Sequence, residues 1–228
     1  MIFRQFFDKT SCTYTYLIAC AKTQEAIIID SVKEHCEQYL KLIDQLDLKL
    51  VQAIDTHIHA DHITGLADLQ DRSDCETIMG QHSKAEFLTR KLHEGEEIKI
   101  GDVSLRAMYT PGHTDDSYCF VTGDRVFTGD TLLIRGTGRT DFQNGSPEAA
   151  YDSIFNKVLK LSDDTFVYPA HDYNGATVST IGEERAHNPR LQVESASEYA
   201  EMMNNLNLPN PKMMDIAVPA NLRSGRSV

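Results

Sequence analysis

Residues 53–66 read AIDTHIHADHITGL and place His57, His59, Asp61 and His62 within six positions. The apolar run LVQAI comes just before them and is typical of a strand, so the cluster is expected in a loop at a strand end, where side chains converge above a sheet edge. A plain polar loop in which Asp61 only caps the next helix does not require so many imidazole groups. The stretch therefore predicts a metal site.

Three further β-rich runs end in the same way, each with a Gly or Pro turn. They are YTPGHTDDS with His113, VFTGDTLL with Asp130, and VYPAHDYNG with His171. Taken alone, His113 or His171 is more often an ordinary hydrogen-bonded histidine than a ligand. Four strand-terminal loops that carry imidazole or carboxylate groups together predict one convergent metal centre.

Composition limits the possible partners and locations. The 228 residues carry a formal net charge of −12 and no Lys/Arg-rich block, which argues against a nucleic-acid partner. No apolar run is long enough to span a membrane, and the N-terminus lacks the pattern of a signal peptide, so a cytoplasmic location without membrane attachment is expected. Five cysteines without a C-x-x-C pair argue against a disulfide framework.

The order of patterns along the chain predicts an α/β fold with two sheets and flanking helices. A hairpin over residues 14–30 precedes a helix with Ser31 as its N-cap, and a meander of strands starts near residue 97. A further helix has Ser146 as its N-cap. We expect one domain over residues 1–228, with a short C-terminal extension from about residue 190 that holds one helix and then an extended, Pro-punctuated segment.

The motifs THIHADH, TPGHT, FTGDTL and PAHDY together resemble those of the metallo-β-lactamase superfamily. The resemblance implies an αββα sandwich of two mixed β-sheets flanked by helices, with the metal at one rim of the sheets. In dinuclear hydrolases of this group, such as glyoxalase II, two zinc ions share seven ligands. The matching residues here are His57, His59 and His113 for one metal, Asp61, His62 and His171 for the other, and Asp130 as the bridge.

Two segments outside the ligand set resemble the persulfide dioxygenases, also called sulfur dioxygenases. They are LLIRGTGRTDFQNGSPEAAYDSI and NLNLPNPKMMDIAVPANLRSG. Glyoxalase II typically has a longer C-terminal helical region, whereas this sequence ends at Val228. The resemblance implies one Fe(II) per chain, bound by His57, His113 and Asp130, which are also the catalytic residues.

The same resemblance implies that the other motif residues support the iron site through hydrogen bonds instead of binding a second metal; these are His59, Asp61, His62 and His171. It implies oxidation of glutathione persulfide by O2 and water to sulfite and glutathione. The alternative is a dinuclear hydrolase of thioesters with two Zn(II), of the glyoxalase II kind. A metal-stabilised binding module without turnover is a third, weaker hypothesis.

Glutathione carries two carboxylates, so an acidic protein needs local cations to bind it. Arg139 is the expected carboxylate ligand. Asp141 is expected either to take the α-amino group or to pair with Arg139. Tyr173 and Arg223 complete the predicted substrate contacts. Expected partners are a second copy of the chain in a homodimer, and a separate rhodanese or sulfide:quinone oxidoreductase in the same pathway.

Overall fold

A computed structural model describes residues 1–226 and contains two six-stranded sheets. In the first sheet the strands follow each other in sequence order. The first two pairings are antiparallel and the other three are parallel, so the sheet is mixed. Its strands are β1 (Ile2–Asp8), β2 (Thr13–Ala19), β3 (Glu25–Ile29), β4 (Lys49–Ile54), β5 (Glu76–Gly80) and β6 (Arg90–Leu92).

The second sheet also runs in sequence order, from β7 at one edge to β12 at the other. All its pairings are antiparallel except the parallel pair of its fourth and fifth strands. Its strands are β7 (Glu97–Ile100), β8 (Val103–Tyr109), β9 (Tyr118–Thr122), β10 (Arg125–Gly129), β11 (Phe166–Pro169) and β12 (Ser179–Thr180).

Helices cover the outer face of each sheet. They are α1 (Cys36–Gln45), α2 (Leu66–Ser73), α3 (Pro147–Asn156), α4 (Ile181–His187), α5 (Ala196–Asn204) and α6 (Met214–Asn221). Apolar side chains of α1 and α2 pack on the first sheet, and those of α3 and α5 pack on the second. Within residues 1–226, none of these helices combines the length and apolarity needed to cross a bilayer.

The central core lies between the two sheets. Side chains such as Tyr16, Ile29 and Ile54 from the first sheet meet Phe120 and Phe127 from the second, all fully or almost fully buried. The central strands are buried on both faces, which explains why they read as continuous apolar runs instead of alternating ones. The expected αββα sandwich of two mixed sheets is therefore confirmed.

Of the two N-caps predicted from the sequence, one is confirmed and one is wrong. Ser146 caps α3, because its side chain accepts a hydrogen bond from the Ala149 amide. The expectation that Ser31 caps α1 is wrong: the helix begins at Cys36 after a 3-10 turn, and the Ser31 hydroxyl has no hydrogen-bond partner within residues 1–226.

The prediction of an extended segment after one tail helix is also wrong. The structure contains α6 there, with Pro219 inside it, and buries Ala217 and Ala220 on its inner face. Packing on the protein body stabilises this short helix although proline lacks the amide needed for a helical hydrogen bond.

Candidate metal centre

The loop between β4 and α2, residues 55–65, carries most of the candidate ligands. His57, His59 and His62 are all buried on it, and Asp61 is partly exposed. β4 is a parallel strand between β3 and β5, so the loop leaves the sheet at its carboxyl edge. The predicted position of the cluster at a strand end is therefore correct.

His57, His113 and Asp130 form one compact ligand group at this edge. One ligand atom from each lies within 4.8 Å of the others. His113 follows β8 and Asp130 follows β10, so the second sheet supplies two of the three side chains. His113 Nε2 lies 3.6 Å from Asp130 Oδ2. Two imidazoles and one carboxylate on one side of a metal make a facial triad.

Hydrogen bonds orient the two imidazoles of this group. The His113 Nδ1–H donates to the Arg139 carbonyl oxygen at 2.7 Å, which leaves Nε2 with a lone pair. The His57 Nδ1 lies 2.9 Å from the Thr56 hydroxyl oxygen, which itself donates to Asp30. Burial, reinforced by the neighbouring histidines, lowers the pKa of His57 well below its ordinary value. Both rings are thus presented toward a metal through Nε2.

His171 lies between two carboxylates and is 1% exposed. Its Nε2 is 2.8 Å from Asp61 Oδ2, and its Nδ1 is 2.7 Å from Asp130 Oδ1. Burial alone lowers its pKa, but Asp130 and Asp61 outweigh burial and raise the pKa well above the ordinary value. When His171 is protonated, both ring nitrogens donate to carboxylates.

A second group that can hold a metal comprises His59, Asp61 and His62, whose ligand atoms also lie within 4.8 Å of one another. His59 Nε2–H donates to Asp30 at 3.2 Å, and His62 Nδ1–H donates to Asp61 at 2.9 Å. The other ring nitrogens, His59 Nδ1 and His62 Nε2, are buried without a hydrogen-bond partner in the described part of the chain. These two nitrogens keep a second metal chemically possible.

Asp30, which sequence reasoning did not single out, supports both ligand groups. Its Oδ1 accepts from the Thr56 amide at 2.7 Å and from His59, and its Oδ2 accepts from the Thr56 hydroxyl at 3.0 Å. The residue has a left-handed φ of 53° and follows β3 directly. An acidic residue at the end of the apolar run EAIII was the available signal.

The predicted substrate contacts have different surroundings. Arg139 pairs with Asp141 through two hydrogen bonds of 2.6 Å, which is one of the two arrangements expected for Asp141. Its Nη1 donates to the Pro209 carbonyl at 2.7 Å, and its guanidinium lies 4.6 Å from the Phe142 ring centre. Arg139 thereby holds residues 205–213, hereafter the tail loop, against the site.

Tyr173 and Arg223 differ in their distance from the ligands. The Tyr173 ring is 68% exposed and lies parallel to the His171 ring, with 6.2 Å between the ring centres. Arg223 instead lies over the Phe87 ring, 5.7 Å from its centre. The structure therefore brings Tyr173, but not Arg223, into contact with the His/Asp cluster.

A cavity of about 370 Å³, open to solvent and mostly apolar, lies near the first ligand group. Its walls are Phe142 and Gln143 on one side and Met214, Asp215, Val218 and Pro219 of α6 on the other. The Phe142 ring centre lies 6.1 Å from that of His113, so the cavity begins next to a candidate ligand.

Comparison with known proteins defines the family. The sequence profile described as the metallo-beta-lactamase superfamily matches residues 13–171, and the chain belongs to that superfamily. Within it, the chain is a member of the persulfide dioxygenase family of enzymes. It is 46% identical over 230 residues to persulfide dioxygenase ETHE1, mitochondrial, of Mus musculus, covering 99% of this chain and 89% of the mouse protein.

Two further comparisons concern a related solved structure and a related hydrolase. The crystal structure of ETHE1 from Myxococcus xanthus superimposes with a TM-score of 0.97 at 47% identity, covering 99% of this chain and all of that one. A hydroxyacylglutathione hydrolase of Idiomarina loihiensis is 31% identical over 92% of this chain and 81% of its own length. Hydrolases are thus related to the chain but more distant from it.

Proposed function

We propose that this chain oxidises glutathione persulfide with dioxygen at a single ferrous ion bound by His57, His113 and Asp130. The reaction consumes one persulfide, one O2 and one water, and yields one sulfite, one glutathione and two protons. The S–S bond of the persulfide breaks, and the outer sulfur is oxidised while dioxygen is reduced.

The hydrogen bonding of His171 is the observation that carries the single-metal proposal. His171 Nε2 and Nδ1 lie within hydrogen-bond distance of Asp61 and Asp130, so in this arrangement His171 links the two carboxylates. Asp61 Oδ2 also accepts from His62 and from Thr13, at 2.9 and 3.0 Å. This network supports a role for these residues in holding the iron ligands instead of binding a second ion.

The donor set of the first group fits iron. Two neutral imidazoles and a carboxylate suit Fe(II) and leave about three coordination positions for small ligands. When bound, ferrous iron supplies the one-electron chemistry that zinc lacks. Metal identity and reaction class are therefore tied together at this site.

The protein's own groups orient the ligands and shape the space beside them. The His171 Nδ1–H occupies Asp130 Oδ1, which leaves Oδ2, the oxygen nearer His113, for the metal. The Arg139 carbonyl fixes the His113 ring. Phe142 and the apolar side chains of α6 form a largely apolar surface beside His113.

We propose Tyr173 as a substrate contact, because its exposed ring lies over His171 at the mouth of the site. Arg139 and Asp141 are proposed to border the same opening. Their side chains already form a salt bridge with each other. Arg223 remains a prediction, and its position over Phe87 requires substrate or protein movement for direct contact.

A dinuclear zinc thioester hydrolase is the second candidate. The unpartnered nitrogens His59 Nδ1 and His62 Nε2, together with the relationship to a hydroxyacylglutathione hydrolase, favour it. It requires His171 Nε2 to lose its proton, which frees a lone pair for the second metal.

Metal analysis of protein purified without added metal separates the two candidates. About one iron per chain, with oxygen uptake on glutathione persulfide, supports the dioxygenase. Two zinc ions per chain, with cleavage of S-lactoylglutathione and no oxygen uptake, contradict it and support the hydrolase.

We further propose a cytoplasmic homodimer that acts in the same pathway as a separate rhodanese or sulfide:quinone oxidoreductase. The names of the mammalian relatives include the word mitochondrial, and that location belongs to those proteins. Sedimentation of the purified chain tests the dimer: a mass near 25.6 kDa contradicts it, and twice that mass supports it.

A further inference from the structure

Asn221, at the end of α6, contacts the metal-ligand loop through every polar group of its side chain. Its Oδ1 accepts from the Thr64 amide at 2.9 Å. Its Nδ2 donates to the carbonyl oxygens of His59 and His62, at 2.9 and 2.8 Å. The side chain is almost completely buried, with the residue 2% exposed, so water does not substitute for these bonds.

The residues after Asn221 hold it in this position. The Ala67 amide donates to the Ser224 carbonyl at 3.0 Å, and the Glu86 amide donates to the Leu222 carbonyl at 2.7 Å. Lys33 Nζ donates to the Gly225 carbonyl at 2.8 Å. We call residues 221–225 the C-terminal clamp.

The clamp also packs closely against the ligand loop. A Cβ built on Gly225, which has a φ of 83°, would lie 2.2 Å from the Thr64 carbonyl oxygen. Only glycine allows this approach without strain. Hydrogen bonds and close packing thus fix the same stretch of loop from the same side.

From these contacts we infer that Asn221 is a positioning residue for the metal-ligand loop. It fixes the peptide planes that follow His59 and His62, and the intervening Asp61 side chain is oriented by the same stretch of backbone. Only an amide side chain offers both the acceptor for Thr64 and the two donors for the carbonyls. The inference goes beyond the proposed function, since it applies to whichever metal the loop helps to hold.

One sequence motif has no part in the proposed reaction, but it contains the residues of the C-terminal clamp. The segment VPANLRSG near the C-terminus contains no metal ligand, yet it carries Asn221 and Gly225. These residues complete the ligand loop from the other end of the chain. Loss of Asn221 is therefore expected to weaken metal retention without removing any ligand.

The test compares Asn221→Ala with Asn205→Ala in the full iron-loaded protein. Asn205 is a matched control, because it directly follows a helix and donates through Nδ2 to a carbonyl, but on the surface. We expect Asn221→Ala to lose iron to a chelator about ten-fold faster or more, as removal of supporting partners usually does. The Thr64 amide should exchange its hydrogen about ten-fold faster, while amides of β2 and β3 keep their rates.

Unchanged iron loss and unchanged Thr64 exchange in Asn221→Ala would overturn the proposal. Faster exchange spread uniformly over β2 and β3 would also overturn it, because that result indicates general destabilisation. Should this variant not fold, Asn221→Asp retains the side-chain volume and the Thr64 acceptor but has no N–H for the carbonyls. Faster iron loss from it supports the proposal, and wild-type retention overturns it. These readouts need no substrate, so they are independent of the proposed reaction.

Discussion

Replacing Asp61 by asparagine tests the single-metal site, because the two metal hypotheses give this residue different roles. Asp61 Oδ2 accepts from His171 Nε2, His62 Nδ1 and Thr13 Oγ1, at 2.8, 2.9 and 3.0 Å. Its side chain is 21% exposed, so solvent compensates for little of the lost charge. In the single-iron account it binds no metal.

The expected magnitudes follow from these contacts. The Asp61→Asn change keeps the shape of the side chain but removes the charge that assists two imidazole hydrogen bonds, which we expect to lower the free energy of unfolding by about 2–4 kcal/mol. Loss of a partner that supports metal ligands typically lowers activity by about 10–100-fold. Iron content should remain about one per chain, because His57, His113 and Asp130 are unchanged.

The assay measures iron per chain, oxygen uptake on glutathione persulfide, and urea unfolding of Asp61→Asn. Asp164→Asn is the matched control, since this aspartate is exposed on the surface. Complete loss of iron from Asp61→Asn, or a wild-type content of two metals that falls to one in the variant, would refute the reasoning. Full activity would refute it as well.

Three further predictions concern the surroundings of the site. Gly138→Ala places a Cβ 2.8 Å from His113 Cγ, so we expect a loss of about 1–3 kcal/mol in stability and less iron per chain, measured by thermal unfolding and metal analysis. Burial raises the pKa of Asp8, but side-chain hydrogen bonds outweigh it and lower the pKa from 3.8 to about 2. Asp8→Asn should therefore cost about 1–2 kcal/mol at pH 7, and urea titrations should show this difference disappearing as the pH falls from about 4 to about 2. Arg139→Lys cannot pair with Asp141 through two bonds and also donate to the Pro209 carbonyl of the tail loop, so limited proteolysis should cut this loop roughly ten-fold faster than in wild type.

Sequence reasoning grouped the candidate metal ligands because their signals are local. β4 is a mostly apolar strand, and a polar cluster with three histidines follows it at once. His113, Asp130 and His171 likewise follow apolar strands directly, at turns marked by Gly or Pro. Residues at one edge of packed sheets converge in space, so positions at strand ends were sufficient to group them.

The features that sequence reasoning missed depend on contacts between distant parts of the chain. Asn221 and Thr64 are separated by 157 positions, and no local pattern indicates their hydrogen bond. The half-buried strand β1 at a sheet edge lacks the continuous apolar run of the central strands. The helix α6 was missed because Pro219 argues against a helix, and only tertiary packing outweighs that preference.

Stepwise addition of ferrous ion to the metal-free protein under anaerobic conditions tests the central claim most directly. Aliquots from each step are assayed for oxygen uptake on glutathione persulfide. The account predicts that activity rises linearly and stops rising at about one iron per chain. Activity that continues to rise to two metals per chain, or that zinc supports equally well, would contradict it.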